Sequence, residues 1–249
     1  MSPGDCYSAL ITGGSRGIGA EVARRLAHEG YHLTIAARDP DRLAATARAL
    51  REETGVAVEP VVALMNDLDQ VRALAKAHAD RYGGMDVLVL SAGTGTAGTV
   101  ADMPAKTYER MLDVNFRAPL TIIQAALPLL RKSAAVHPKV GAKIIALASI
   151  TGVAGEAGLA AYGATKAALI SLCETVSLEE SARGVSATAI SPGYVDTDMT
   201  AWKRDALAPS AMLTAGDVAE LVLAVTRLSR NAVVPNIVMS RAGDQLWRA

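Results

Sequence analysis

Tyr162 and Lys166 stand four residues apart in a run of helical spacing, so their side chains share one helix face. A free phenol titrates at about 10, and a neighbouring ammonium favours the phenolate and lowers that value. A tyrosine tuned in this way gives a proton to a carbonyl oxygen, or takes one from an alcohol, near neutral pH. Of the six tyrosines only Tyr162 has a lysine four residues on. The plain alternative is a chance pair on a solvated face. Ser149 follows an apolar run at 143–148. A hydroxyl there can bond a substrate oxygen as charge develops on it, or merely cap the loop backbone.

A second constellation suits an anion. Thr12-Gly13-Gly14-Ser15-Arg16-Gly17-Ile18-Gly19 lies between an apolar run at 7–11 and helical spacing at 20–27. Glycines let backbone approach a ligand, and the N–H groups and positive dipole end of the helix then face it. The spacing is Gly13-x-x-x-Gly17-x-Gly19, not the common dinucleotide fingerprint. Alone, it is a tight turn that any α/β domain can use.

These residues need a scaffold, and the chain alternates strand-like and helix-like runs. Strands are predicted at 7–11, 32–37, 56–64, 86–90, 143–148, 185–190 and 236–240. Helices are predicted at 20–27, from Asp39-Pro40 to about Thr54-Gly55, at 68–82 with Asp67 as N-cap, at 104–132, 162–182 and 217–229. The segment 133–142 reads as a surface loop. Nearly apolar strands alternating with helices predict a seven-stranded, mostly parallel sheet covered on both faces, a doubly wound Rossmann-type α/β fold. Such sheets take ligands at the carboxyl ends of their strands. Those ends carry the 12–19 loop, Ala37-Arg38, Ser91-Ala92-Gly93, Ser149-Ile150-Thr151-Gly152 and Pro192-Gly193.

The 249 residues are 51% hydrophobic and 20% charged, which describes a globular chain and excludes disorder. Lys plus Arg and Asp plus Glu balance at 25 each, so nothing points to nucleic acid or an anionic membrane. No apolar run reaches membrane-spanning length, and residues 1–5 show no signal segment. Cys6 and Cys173 read as reduced thiols, which places the protein in the cytoplasm.

The chain resembles the short-chain dehydrogenase/reductase family, in its short single-domain form and nearest by motif to 3-oxoacyl-carrier-protein reductase-like members. The matching residues are Thr12 to Gly19, Ala92-Gly93, Asn115, Ser149, Tyr162 with Lys166, and Pro192-Gly193-Tyr194-Val195-Asp196-Thr197. The resemblance implies one catalytic domain over 1–249 that binds NAD(P), with no metal. It makes Tyr162 the general acid/base and Ser149 the holder of the substrate oxygen. Lys166 would bind the nicotinamide ribose and depress the Tyr162 pKa. Asn115 would sit at a break in the long helix and help hold a relay water. Val195 and Thr197 would meet the nicotinamide carboxamide. Gly13, Ser15, Gly17, Ile18, Gly19, Ser91, Ala92, Gly93, Pro192 and Gly193 would complete the coenzyme site.

Coenzyme choice has a physical argument. Enzymes preferring NAD place a carboxylate at the end of the second strand, on the ribose 2′-hydroxyl. Here Ala37 and Arg38 stand there, with Arg16 in the loop, so NADP(H) is favoured over NAD(H). The alternative makes Asp39 the ribose ligand. Three departures from the family pattern are Ser91 for the usual Asn, Leu64-Met65 at the adenine position, and Arg241-Ala242-Gly243-Asp244 for the usual tail.

Residues 198–214 read as a flap made apolar by Met199, Trp202, Met212 and Leu213, with 152–159 as the opposite wall and Glu156 its one charge. With Ser149, Thr151 and Tyr162, Met199 and Trp202 would contact an apolar ketone, alcohol or 3-oxoacyl thioester. The alternative has the apolar residues packing the flap down. The small and apolar residues of the two long helices imply, by the family pattern, a homo-oligomer, a dimer or tetramer. Rival readings are a catalytically silent NAD(P)-binding regulator or scaffold, and a dehydratase or epimerase of related fold.

Overall fold

The computed structural model describes residues 7–243 and 246. Cys6, residues 1–5 and Asp244 of the atypical tail lie outside them. Seven strands form one sheet: β1 (Ser8–Thr12), β2 (His32–Ala37), β3 (Val58–Val62), β4 (Val87–Leu90), β5 (Ala142–Leu147), β6 (Val185–Pro192) and β7 (Asn236–Met239). Their order is β3-β2-β1-β4-β5-β6-β7, and every pairing is parallel. Pro60 is tolerated in β3 because β3 is an edge strand.

The helices are α1 (Gly17–His28), α2 (Pro40–Thr54), α3 (Leu68–Tyr82), α4 (Ala105–Leu112), α5 (Ala118–Val136), α6 (Ala160–Glu180) and α7 (Ala215–Thr226). Alternate strand residues point to opposite faces, so each strand feeds two cores. Leu10, Leu88 and Ile144 pack with Leu74 of α3, Ile122 of α5 and Leu169 of α6. Their neighbours Ile11, Val89 and Ile145 pack with Val22 of α1, Leu43 of α2 and Val222 of α7.

Local chemistry sets the helix ends. Asp39 accepts the Arg42 N–H at 3.1 Å at the start of α2, and Asp67 accepts those of Asp69 and Gln70 at the start of α3. Gly55 and Gly83 close the two helices with φ of 74° and 75°. The 133–142 expectation is corrected at its start: α5 runs on to Val136, because Ser133 and Ala134 face the interior. The 104–132 helix is in fact interrupted by a π-turn, Asp113–Arg117, with Asn115 inside it.

Among the described residues, no helix is long and apolar enough to cross a membrane.

Candidate active site

β1 and β4 are neighbours while their chain connections run outward in opposite directions, so a crevice opens beyond their carboxyl ends. The turns that follow them pack tightly. Thr12 Oγ1 accepts the N–H groups of Ser91 and Ala92, both at 3.2 Å. A Cβ on Gly13 would stand 2.9 Å from the Ala92 nitrogen, and one on Gly19 would fall on the Gly13 carbonyl oxygen. Glycine is required at both places by space alone.

α1 then begins with no side-chain cap at Arg16 and no acid in its first turn. Its leading N–H groups therefore lack a side-chain acceptor, the donor set that suits a diphosphate. Thr197, at the foot of the flap, lies against this loop: a Cβ on Gly17 would be 3.5 Å from its Cγ2.

Ser149 ends the β5 turn and is buried. Its Oγ accepts the Thr151 backbone N–H at 3.2 Å and the Thr151 hydroxyl at 2.9 Å. With both acceptor positions taken, the Ser149 hydrogen is left to donate. Thr151 thus positions Ser149, and its own hydroxyl proton is spent doing so. The Tyr162 ring lies under Gly95, whose Cβ would be 3.1 Å from the Tyr162 Cδ2. Lys166 Nζ sits 5.6 Å from the centre of that ring and donates to the Leu147 carbonyl at 2.6 Å. Tyr162 and Lys166 do share a face of α6.

The expected effect of Lys166 on the phenol is corrected. Burial pushes Tyr162 up to about 12, with the Ser149 hydroxyl pulling the other way. Burial also lowers Lys166 to about 8, and no carboxylate offsets this. With Lys166 buried and the Tyr162 side chain partly so, desolvation outweighs the pairing on which the sequence argument rested.

Asn115 is buried at the π-turn, as the helix break requires. Its Oδ1 accepts the Thr94 N–H at 2.9 Å, and its Nδ2 donates to the Thr94 carbonyl at 2.8 Å and to Thr165 Oγ1 at 3.0 Å. Its side chain therefore fixes the loop that covers Tyr162. Asn115 Oδ1 and Lys166 Nζ both lie within 3.6 Å of where a Gly93 Cβ would stand. Thr94 and Thr165 were not legible as site residues, because only this three-way contact gives them a role.

At the coenzyme end, Arg38 is exposed at the end of β2 and makes no hydrogen bond or ion pair among the described residues. Asp39 spends Oδ1 on the α2 cap, which weakens the case for it as a ribose ligand. Arg16 is held by Asp198 at 2.8 Å. Leu64 is exposed beyond β3, while Met65 packs partly against the core.

The flap is divided. Met212 is buried and Leu213 bridges to Val195, so these two pack it down. Met199 and Trp202 stay exposed, Trp202 edge-on to Tyr194 at 6.2 Å. Glu156 reaches across from the opposite wall to accept the Tyr194 hydroxyl at 2.7 Å. It is thus a structural charge of the cleft, and burial together with this carboxylate pushes the Tyr194 phenol up strongly.

The family model for short chain dehydrogenases matches residues 7–208. A 3-oxoacyl-acyl-carrier-protein reductase (FabG) of Staphylococcus aureus is 32% identical over 239 residues, 96% of this chain and 91% of that protein. An alcohol dehydrogenase from the archaeon Thermococcus sibiricus, complexed with 5-hydroxy-NADP, superposes with a TM-score of 0.84 at 27% identity, covering 94% of this chain and 96% of the other. A short chain dehydrogenase from Burkholderia cenocepacia in complex with NADP gives 0.83 at 30% identity, over 94% and 96%.

Proposed function

This chain belongs to the short-chain dehydrogenase family, and on that premise we propose that it reduces a carbonyl group, or oxidises the matching secondary alcohol, with NADP(H). The observation that carries the reading is the Ser149 hydroxyl, whose oxygen takes two donors from Thr151 and whose hydrogen is turned to the Tyr162 phenol, beside the buried Lys166. Bound NADPH supplies a hydride to the carbonyl carbon. Ser149 and Tyr162 hold the carbonyl oxygen by their O–H groups, and Tyr162 gives it a proton as negative charge grows there. Lys166 holds the ribose and, while protonated, steadies the phenolate that Tyr162 becomes. Asn115 serves the relay water that returns the proton.

The loop from Gly13 to Gly19 holds the diphosphate through Ser15 and the leading N–H groups of α1 at Gly17, Ile18 and Gly19, while the Gly14 N–H is spent on the Ala36 carbonyl. Ser91, Ala92 and Gly93 line the adenosine side, and Pro192, Gly193, Val195 and Thr197 line the nicotinamide. The catalytic unit is one domain over 1–249, and the substrate is an apolar ketone, alcohol or 3-oxoacyl thioester touching Thr151, Met199 and Trp202. The test is NADPH consumption over a panel of carbonyl compounds. Turnover of apolar ketones or 3-oxoacyl thioesters supports the reading; preference for small charged ketoacids refutes the substrate class. No turnover at all favours a silent NAD(P)-binding scaffold, which the intact Ser149, Tyr162 and Lys166 argue against.

NADP(H) is preferred to NAD(H), because Arg38 and Arg16 offer guanidinium groups to a 2′-phosphate and no carboxylate stands at Ala37, the end of β2. Arg38→Ala raises KM for NADPH by about ten- to a hundred-fold, since a hydrogen bond to a charged group is worth about 1.5–3 kcal/mol. KM for NADH is unchanged. Steady-state kinetics with both coenzymes decides, and equal use of NADH by the parent enzyme sinks the preference.

The protein is a cytoplasmic homo-oligomer, dimer or tetramer, built on α5 and α6. On α6, Leu178 is 85% exposed, an apolar side chain left for such a contact. A monomer by light scattering overturns this assignment.

A further inference from the structure

Asp198 opens the flap, yet its carboxylate is anchored at the coenzyme end of the sheet. One oxygen is 2.8 Å from Arg16 in the glycine loop and 3.8 Å from Arg42 on α2. Arg16 and Asp198 are 182 residues apart, so this contact is made by the fold and not by chain proximity. One turn beyond Arg42, the Thr46 hydroxyl donates to the Arg42 carbonyl at 2.9 Å and lies 3.4 Å from the Ser15 carbonyl, so α2 abuts the same loop. Arg42 therefore stands beside Arg16 and follows the β2 end where Arg38 is exposed.

We propose that Asp198 is an internal stand-in for the coenzyme 2′-phosphate, and that Arg42 is a phosphate ligand together with Arg16. A bound 2′-phosphate takes both arginines from Asp198, and the first turn of the flap loses its anchor. This rests on the NADP(H) reading above. A phosphate offers more charge and three acceptor oxygens against one carboxylate, so it wins the exchange. The pair it breaks is half exposed and weak, so the exchange is readily reversed. A ribose 2′-hydroxyl carries no charge and leaves Asp198 where it is. Because one pair of cations serves two anions, the effect is reciprocal: the factor by which Asp198 weakens phosphate binding is the factor by which phosphate loosens the flap. The far edge stays tethered, with Lys203 Nζ 3.8 Å from Glu156 and over the Tyr194 ring at 5.0 Å.

The experiment is calorimetric titration of the whole protein with 2′,5′-ADP and with 5′-ADP, for the parent, Asp198→Asn and Arg42→Gln. Limited trypsin cleavage at Lys203 and Arg204 is followed with and without 2′,5′-ADP. Asp198→Asn is expected to tighten 2′,5′-ADP by about two- to five-fold, the worth of an exposed ion pair, and to leave 5′-ADP unchanged. Arg42→Gln weakens 2′,5′-ADP alone. The bisphosphate speeds cleavage in the parent and not in Asp198→Asn. A parent that prefers 2′,5′-ADP, with Asp198→Asn binding it no better, overturns the role of Asp198. A parent with no preference between the two nucleotides overturns the NADP(H) reading itself.

Discussion

Replacing Tyr162 by Phe lowers kcat for carbonyl reduction by about 10²–10⁴-fold, the usual worth of one positioned proton donor, and leaves coenzyme affinity unchanged. The ring keeps its place under Gly95 and only the hydroxyl is lost, so the loss reads the proton and not the packing. The pH profile carries the same mechanism. Burial holds the phenol near about 12, so the acid form that reduction needs persists through the neutral range. Lys166 is lowered to about 8 and sheds its proton above that pH, taking away the charge that steadies the phenolate. Reduction therefore runs level below pH 8 and declines above it. Alcohol oxidation, which needs the phenolate, gains with rising pH until Lys166 is neutral. Stopped-flow or steady-state rates across this range measure both limbs. Activity in Tyr162→Phe within ten-fold of the parent would remove Tyr162 from the chemistry.

The second large effect lies at the opposite end of the sheet, where acid should loosen the fold. His78 on α3 is fully buried, with Nδ1 at 2.8 Å from Thr34 Oγ1 and Nε2 at 3.2 Å from Ser8 Oγ. The Ser8 hydroxyl donates to the Gly84 carbonyl at 3.1 Å. The bonds are therefore consistent with Nε2–H donating to Ser8 while Nδ1 accepts from Thr34, a neutral ring. A second ring proton would face the Thr34 hydroxyl in an apolar interior. Burial accordingly lowers His78 from 6.5 to about 4.

The unfolded chain takes up this proton first, so stability is whole above pH 6.5 and is lost as pH falls from there to about 4. The shift corresponds to about 3 kcal/mol. Two other titratable groups belong to the network. Asp86 accepts the Ser8 N–H at 2.8 Å, and His137 lies 3.5 Å from its other oxygen. Burial raises the Asp86 carboxyl, so its protonation in the folded state opposes the His78 loss at the acid end of the window. Urea midpoints measured from pH 7.5 down to 4.5, for the parent and His78→Gln, test this. The parent should lose markedly more stability than the variant, and parallel curves would acquit His78.

The parts legible in advance were those that short stretches specify. Asp39-Pro40 with Gly55, and Asp67 with Gly83, bracket α2 and α3 because capping is a contact over a few residues. The glycine loop was legible because its steric demands sit within eight residues. The 113–117 break could be placed only through family resemblance, since nothing in Asp113-Val114-Asn115-Phe116 forbids an α-helix. The direction of the Tyr162 shift was missed because pairing is visible in spacing and dryness is not: Gly95, Ser149 and Lys166 close around the phenol from three separate segments. The same holds for Arg42 and Arg16 on Asp198, and for Ser8, Thr34 and His78. Each is a contact between residues whose separation in sequence carries no period.

The π-turn also acts as a phase shifter. One added residue advances a helix by about 100°, so α4 and α5 run end to end with their faces out of step by roughly a quarter-turn. That offset lets α5 keep Ile122 and Leu130 against the sheet while Asn115 turns toward Thr94 and Thr165. An unbroken α-helix would have better-aligned hydrogen bonds and only one phase. It could seat the core or aim the asparagine, and the five residues of the turn are what allow this chain both.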